Sequence, residues 1–191
     1  MRLFVALIPP DEAVDDLDSF LEVRRSAAAY RWAVRDQLHL TLAFLGDVEE
    51  WRLDELITRL TRAAARRTAF EATITGGGAF PNVGRAKVIW AGVSTSSVGE
   101  VELPRLAVGA RAAAVKSGIE VDGARFRPHV TVARLGVPGE VSNWVRLLDA
   151  YRGPTWQASA ISLVESHLGE GPRGRPRYEV LAELGLGRAG L

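Results

Sequence analysis

Two of the three histidines in this chain sit in matching surroundings. His39-Leu40-Thr41-Leu42-Ala43-Phe44-Leu45-Gly46 and His129-Val130-Thr131-Val132-Ala133-Arg134-Leu135-Gly136 agree at His, Thr, Ala, Leu and Gly. Imidazole is the side chain whose ordinary pKa, about 6.5, lets it give or take a proton near neutrality. A threonine hydroxyl two residues on, about 7 Å along an extended chain, adds a hydrogen-bond donor on the same face. Brought together, one ring could deprotonate an attacking water and the other protonate a leaving oxygen, while Thr41 and Thr131 hold the non-bridging oxygens of a phosphoryl group. That is in-line displacement at phosphorus by a coupled acid–base pair. The symmetry of the motifs leaves open which ring gives the proton and which takes it.

Positioning such a pair requires two strands that face each other. Alternation puts His39, Thr41 and Ala43 on one face of a strand and Leu40, Leu42 and Phe44 on the other, so the apolar face belongs under helices. Each copy ends an apolar strand and precedes a glycine turn and a helix, which predicts two similar lobes. Around the motifs, apolar spacing predicts strands over 3–8, 37–45, 70–75, 86–93, 125–135, 157–166 and 178–184. Helices are predicted from Asp11, as N-cap, to about Tyr30, from Trp51 to Arg67, from Val101 to Val115 with Pro104 in the first turn, and from Glu140 to Tyr151. Gly76-Gly77-Gly78 reads as part of a hairpin bend. The expected fold class is α+β, bilobal, with two pseudo-symmetric lobes. Each lobe has an antiparallel sheet flanked by outer helices, and the cleft lies between the sheets. No stretch resembles a linker, so residues 1–191 are expected to form one bilobal domain.

Composition narrows the chemistry further. With no cysteine there are no disulfides, thiolate metal ligands or cysteine nucleophiles. A net charge of +1 means that an anionic ligand must be held by a local site and not by the field of the whole protein. The 25% of charged residues include only two lysines, Lys87 and Lys116, a bias that codon usage accounts for. The short apolar start before Pro9 and Pro10 lacks the features of a secretory signal, and no stretch approaches ~20 apolar residues, so a cytoplasmic protein without membrane contact is expected.

Other signals are weaker. Gly185-Leu186-Gly187-Arg188-Ala189-Gly190 has dinucleotide-fingerprint spacing but opens no helix, and reads as a tail. Arg173, Arg175 and Arg177 read as a solvated loop that could also grip a nucleic-acid backbone. Among the aromatics Phe80, Trp90 and Tyr178, Phe80 is the best candidate for stacking on a base. His167 lacks a supporting carboxylate motif for a metal site with His39 and His129, so no metal is expected.

The chain resembles the 2H phosphoesterases, specifically the RNA 2′,3′-cyclic phosphodiesterases also called 2′-5′ RNA ligases. The resemblance runs through Arg2-Leu3-Phe4-Val5-Ala6-Leu7, both His-x-Thr segments, Gly78-Ala79-Phe80-Pro81, Val88 to Val93, Phe126-Arg127-Pro128, and Ser166 through Leu181. It implies hydrolysis of RNA 2′,3′-cyclic phosphate ends to 2′-phosphates, with His39 as proton donor and His129 as proton acceptor. It also implies Arg134 as a third phosphate binder beside Thr41 and Thr131; no cofactor and a monomer are expected. Strand parity puts Arg134 on the wrong face for that unless a bulge turns it. Alternative readings are 2′-5′ ligation by the reverse step, action on small cyclic nucleotides, and non-catalytic binding of RNA ends.

Overall fold

The computed structural model describes residues 1–187; Arg188, Ala189 and Gly190 of the tail reading lie outside the described residues. The apolar run at the start forms β1 (Arg2–Leu7), buried on both faces from Leu3 onward. Helix α1 (Asp11–Glu22) follows. Asp11 is its first helical residue, with Pro10 preceding, because proline's missing N–H costs nothing at a helix start. The helix stops at Glu22, short of the expected Tyr30. Beyond it the Arg25 guanidinium donates to Asp18 and to the Ala33 carbonyl, which folds the chain back into the two-residue strand β2 (Arg31–Trp32).

Strand β3 (Leu40–Asp47) carries the first motif and α2 (Leu53–Ala65) buries Leu56, Leu60 and Ala64 at four-residue spacing. Then come β4 (Phe70–Phe80), β5 (Ala86–Thr95) and α3 (Ser97–Lys116). The glycine run is part of β4 and not of the bend, because other groups press directly on it. A Cβ on Gly77 would collide with Leu148, and one on Gly78 with the Trp90 ring. Pro104 lies well inside α3, which is capped by Ser96 and starts at Ser97, four residues earlier than the apolar spacing suggests.

The second motif opens β6 (His129–Gly139), and the strand starts at the histidine because Pro128 has no N–H to donate. The chain closes with α4 (Ser142–Asp149), β7 (Arg152–Ala158), β8 (Ala160–His167) and β9 (Arg177–Gly185); the strand expected over 157–166 is split at Ser159.

Among the described residues the strands form one antiparallel sheet, ordered β7-β4-β5-β6-β3-β1-β8-β9, with β2 beside β6. The sheet curls as a half-barrel. Its halves, β3-β1-β8-β9 and β6-β5-β4-β7, are the two expected lobes, and they meet where Leu40 pairs with Val130. Those residues are equivalent in the two motifs, so the pseudo-twofold axis passes through this pair. Each lobe borrows from the other half of the chain: β4 crosses after α2, and β8 and β9 return after β7. Leu40, Leu42, Val130 and Val132 are all buried in the core, as alternation requires.

Candidate active site

The opposite faces of β3 and β6 look into a cleft of about 490 Å³ lined by His39, Thr41, His129, Thr131 and Arg134. The four motif residues therefore converge. Arg134 joins them because the second strand is bulged: Ile89 pairs with Ala133 and Trp90 with Thr131, leaving Val132 without a partner of its own. One extra residue reverses the alternation, so Ala133 turns into the core and Arg134 into the cleft. The first strand repeats this at the equivalent place. Val5 pairs with Ala43 and Ala6 with Thr41, skipping Leu42. Ala43, expected beside His39 and Thr41, is consequently buried, while Phe44, expected in the core, lines the cleft at 46% exposure.

Each imidazole is held in the same way. His39 Nδ1 lies 2.8 Å from the Gln37 carbonyl and His129 Nδ1 lies 2.6 Å from the Arg127 carbonyl. A carbonyl can only accept, so Nδ1 carries the proton in both rings and Nε2 is left for chemistry. The Thr41 hydroxyl, 2.9 Å from His39 Nε2, donates to that nitrogen in the neutral ring. His129 Nε2 has no hydrogen-bond partner among the described residues.

Aromatic rings wall both histidines. His39 stacks on Phe4 at 4.8 Å and meets the edge of Tyr178 at 5.4 Å. His129 lies 4.9 Å from Phe80, edge to face, and 6.1 Å from Trp90. Desolvation by these walls pushes the His39 pKa down to about 4, and the charges of His129 and Arg134 add to the effect. His129 is lowered too, by burial first and then by Arg134. Burial likewise raises the Tyr178 phenol.

Among the described residues the lining includes four arginines, Arg2, Arg31, Arg134 and Arg175, and no carboxylate, so the cleft suits an anion. Of the three loop arginines only Arg175 reaches it, since Arg177 is paired with Glu170 at 2.8 Å. Phe80, the aromatic named for base stacking, is packed against His129 and Trp90 and is not part of the cleft lining. Arg2, Arg31 and Gln37 line the cleft although the sequence reading gave them no part in the site, and Phe44 lines it although the reading placed it in the core. For the first three the only signal was proximity to strand ends. His167 lies away from the cleft, with its Nε2 2.9 Å from Glu179 and 3.5 Å from Glu165. Among the described residues, these three side chains bring donor atoms close enough to hold a cation.

The fold and sequence have known counterparts. Residues 8–90 and 97–173 match the family described as LigT like Phosphoesterase. The RNA 2′,3′-cyclic phosphodiesterase of Archaeoglobus fulgidus is 34% identical over 71% of this chain and 73% of its own length. That of Thermus thermophilus is 31% identical over 97% and 90%. A crystal structure of a Thermus thermophilus protein superposes with TM-score 0.76 at 30% identity, covering 99% of this chain and all of that one. Escherichia coli LigT complexed with 3′-AMP gives 0.78 at 26%, covering 98% of each chain. Paired motifs, bulged strands and a shared architecture thus converge on one assignment: the chain belongs to the LigT-like phosphoesterase family.

Proposed function

We propose that this chain hydrolyses RNA 2′,3′-cyclic phosphate ends to 2′-phosphates by two-histidine acid–base catalysis. The observation that carries the reading is a cleft holding both His-x-Thr pairs and four arginines and, among the described residues, no carboxylate. Relatives named RNA 2′,3′-cyclic phosphodiesterase over most of the chain's length support the substrate class.

In the proposed reaction the cyclic phosphate sits between the rings, its non-bridging oxygens accepting hydrogen bonds from Thr41, Thr131 and Arg134. His129 Nε2, open to the cleft, takes a proton from water as the water oxygen bonds to phosphorus. The P–O3′ bond breaks on the opposite side, and His39 Nε2 supplies a proton to the departing 3′ oxygen. The products are a 2′-phosphate, a 3′-hydroxyl, neutral His39 and protonated His129; exchange with solvent resets the pair. The strained ring supplies the leaving group, so the reading includes no metal step. Phe80 then serves by holding His129 in place, and Phe44, exposed on the cleft wall, is the ring available to a terminal base.

Both halves of the site come from one chain, which supports action as a monomer. No helix among the described residues is long and apolar enough to cross a membrane, and we place the activity in the cytoplasm.

The test is end-group analysis of an RNA with a 2′,3′-cyclic phosphate incubated in EDTA. A 2′-phosphate product is expected. His39→Ala and His129→Ala should each lower kcat by at least about 10³-fold, as loss of a general acid or base does, with binding of the RNA end retained. A 3′-phosphate product, a metal requirement or unimpaired variants would overturn the reading.

A further inference from the structure

On the helical face of the molecule, away from the cleft, α2 and α3 lie side by side and enclose a second groove of about 490 Å³ that shares no residue with the first. Its walls carry six cations: Arg59, Arg62, Arg66, Arg67, Arg105 and Lys116. No aspartate or glutamate lines it. On α2, positions 59, 62 and 66 share one face, and on α3 positions 105 and 116 bracket Gly109 and Ala112 on one face, so two cationic rows confront each other. The α3 row spans roughly 16 Å at 1.5 Å per residue. The floor between the rows is small: a Cβ on Gly109 would lie 3.6 Å from that of Ala63.

Only two of the six have an ion-pair partner among the described residues, Arg59 with Glu55 at 2.7 Å and Arg67 with Glu102 at 3.7 Å. Codon usage explains a chain rich in arginine but not why six cations, including one of only two lysines, gather on a protein of net charge +1. Like charges in one groove repel each other, and an anion laid along both rows would relieve that cost. Guanidinium forks match phosphate oxygens in pairs. A lipid surface fits less well, because among the described residues Val108 is the one large apolar side chain exposed in the lining and a membrane-docking face needs several.

We propose that this groove binds the phosphodiester backbone of single-stranded RNA, holding the body of the strand whose 3′ end enters the cleft. The identity of that strand rests on the proposed function. The two sites are joined through one strand: α2 packs on β9, Tyr178 near the start of that strand lines the cleft, and so does Arg175 just before it. An RNA engaging both sites would round the sheet edge at β9.

The experiment compares wild type with R62A/R66A/R105A, whose side chains are solvent-facing, and with R62K/R66K/R105K, which keeps the charge. Binding of a fluorescent 20-nucleotide RNA with an ordinary 3′-hydroxyl is followed by anisotropy across salt concentrations. Turnover is measured on a nucleoside 2′,3′-cyclic phosphate and on the 20-mer carrying that end. The alanine variant should bind the RNA at least tenfold more weakly, with a log–log salt slope shallower by about 2, at ~0.7 per lost phosphate contact. Its KM for the 20-mer should rise about as much, while the nucleoside substrate turns over as in wild type; the lysine variant should stay within a few fold of wild type throughout. Unchanged RNA affinity and unchanged 20-mer KM in the alanine variant would overturn the proposal. So would a variant that loses only its sedimentation with phosphatidylserine vesicles. RNA binding lost in the variant, with no turnover of either substrate by wild type, would support the groove and overturn the phosphodiesterase reading instead.

Discussion

His39 and His129 have like surroundings but unlike tasks in the proposed reaction, and the pH dependence should separate them. In the free protein desolvation holds His39 near pKa 4, so at neutral pH the ring is uncharged and its Nε2 has no proton to give. The fraction of free protein with His39 protonated falls as pH rises through that value. A bound phosphate anion favours the imidazolium and raises the pKa. The alkaline limb of kcat should therefore lie at higher pH than that of kcat/KM, measured by steady-state kinetics from pH 4 to 9; coincident limbs would contradict this. A second prediction concerns Phe44, which occupies the place in the first motif that Arg134 occupies in the second. F44A should raise KM for a cyclic phosphate bearing a base about tenfold or more, in line with ~1–3 kcal/mol per stacked base, and leave an abasic ribose cyclic phosphate unaffected. The histidines and threonines were legible because the sequence states them twice. Phe44 was not, since alternation assigns it to the core, and only pairing with β1 reveals the skipped residue that turns it outward.

At the scale of elements, the bulges and the glycine run decide what the strands present. Alternation places Leu40, Leu42, Val130 and Val132 correctly up to the bulge and fails one residue later, in both copies. A bulge depends on which neighbour a strand acquires, so no local pattern announces it. The glycines show the same dependence: Gly77 and Gly78 are flat because α4 and Trp90 rest on them, and both partners are distant in sequence. G78A should drive the Trp90 ring aside, cost about 1–3 kcal/mol in urea-induced unfolding, and lower turnover through the displaced wall of His129. The two-residue β2 escaped notice because nothing that short has a period. The end of α1 was misplaced because Arg25 finds its acceptors only after the chain has doubled back.

For the whole molecule, the two-lobe fold was legible from the duplication, but the exchange of strands between halves was not. Because β8 and β9 complete the lobe begun by β1 and β3, residues 1–158 alone would leave Phe4 and the flank of His39 uncovered. That fragment should show no cooperative unfolding transition by circular dichroism, and adding back 159–191 as a separate chain should restore one. Such interleaving also bears on how firmly the two imidazoles are spaced. β3 and β6 share one rung, Leu40 with Val130, and two arms joined by a single rung can swing like the legs of a compass. The latch is β2. It follows α1, which packs on β7 in the same lobe as β6, pairs Arg31 with Arg134 and Trp32 with Ala133, and is followed by the Ala33 N–H donating to the Val132 carbonyl at 2.9 Å. From Ala33 only residues 34–38 lead to His39, so this short connection straps β3 to β6. The clasp thus closes on the very residues whose bulge aims Arg134, so the opening of the jaw and the aim of its phosphate-facing arginine are a single mechanical setting.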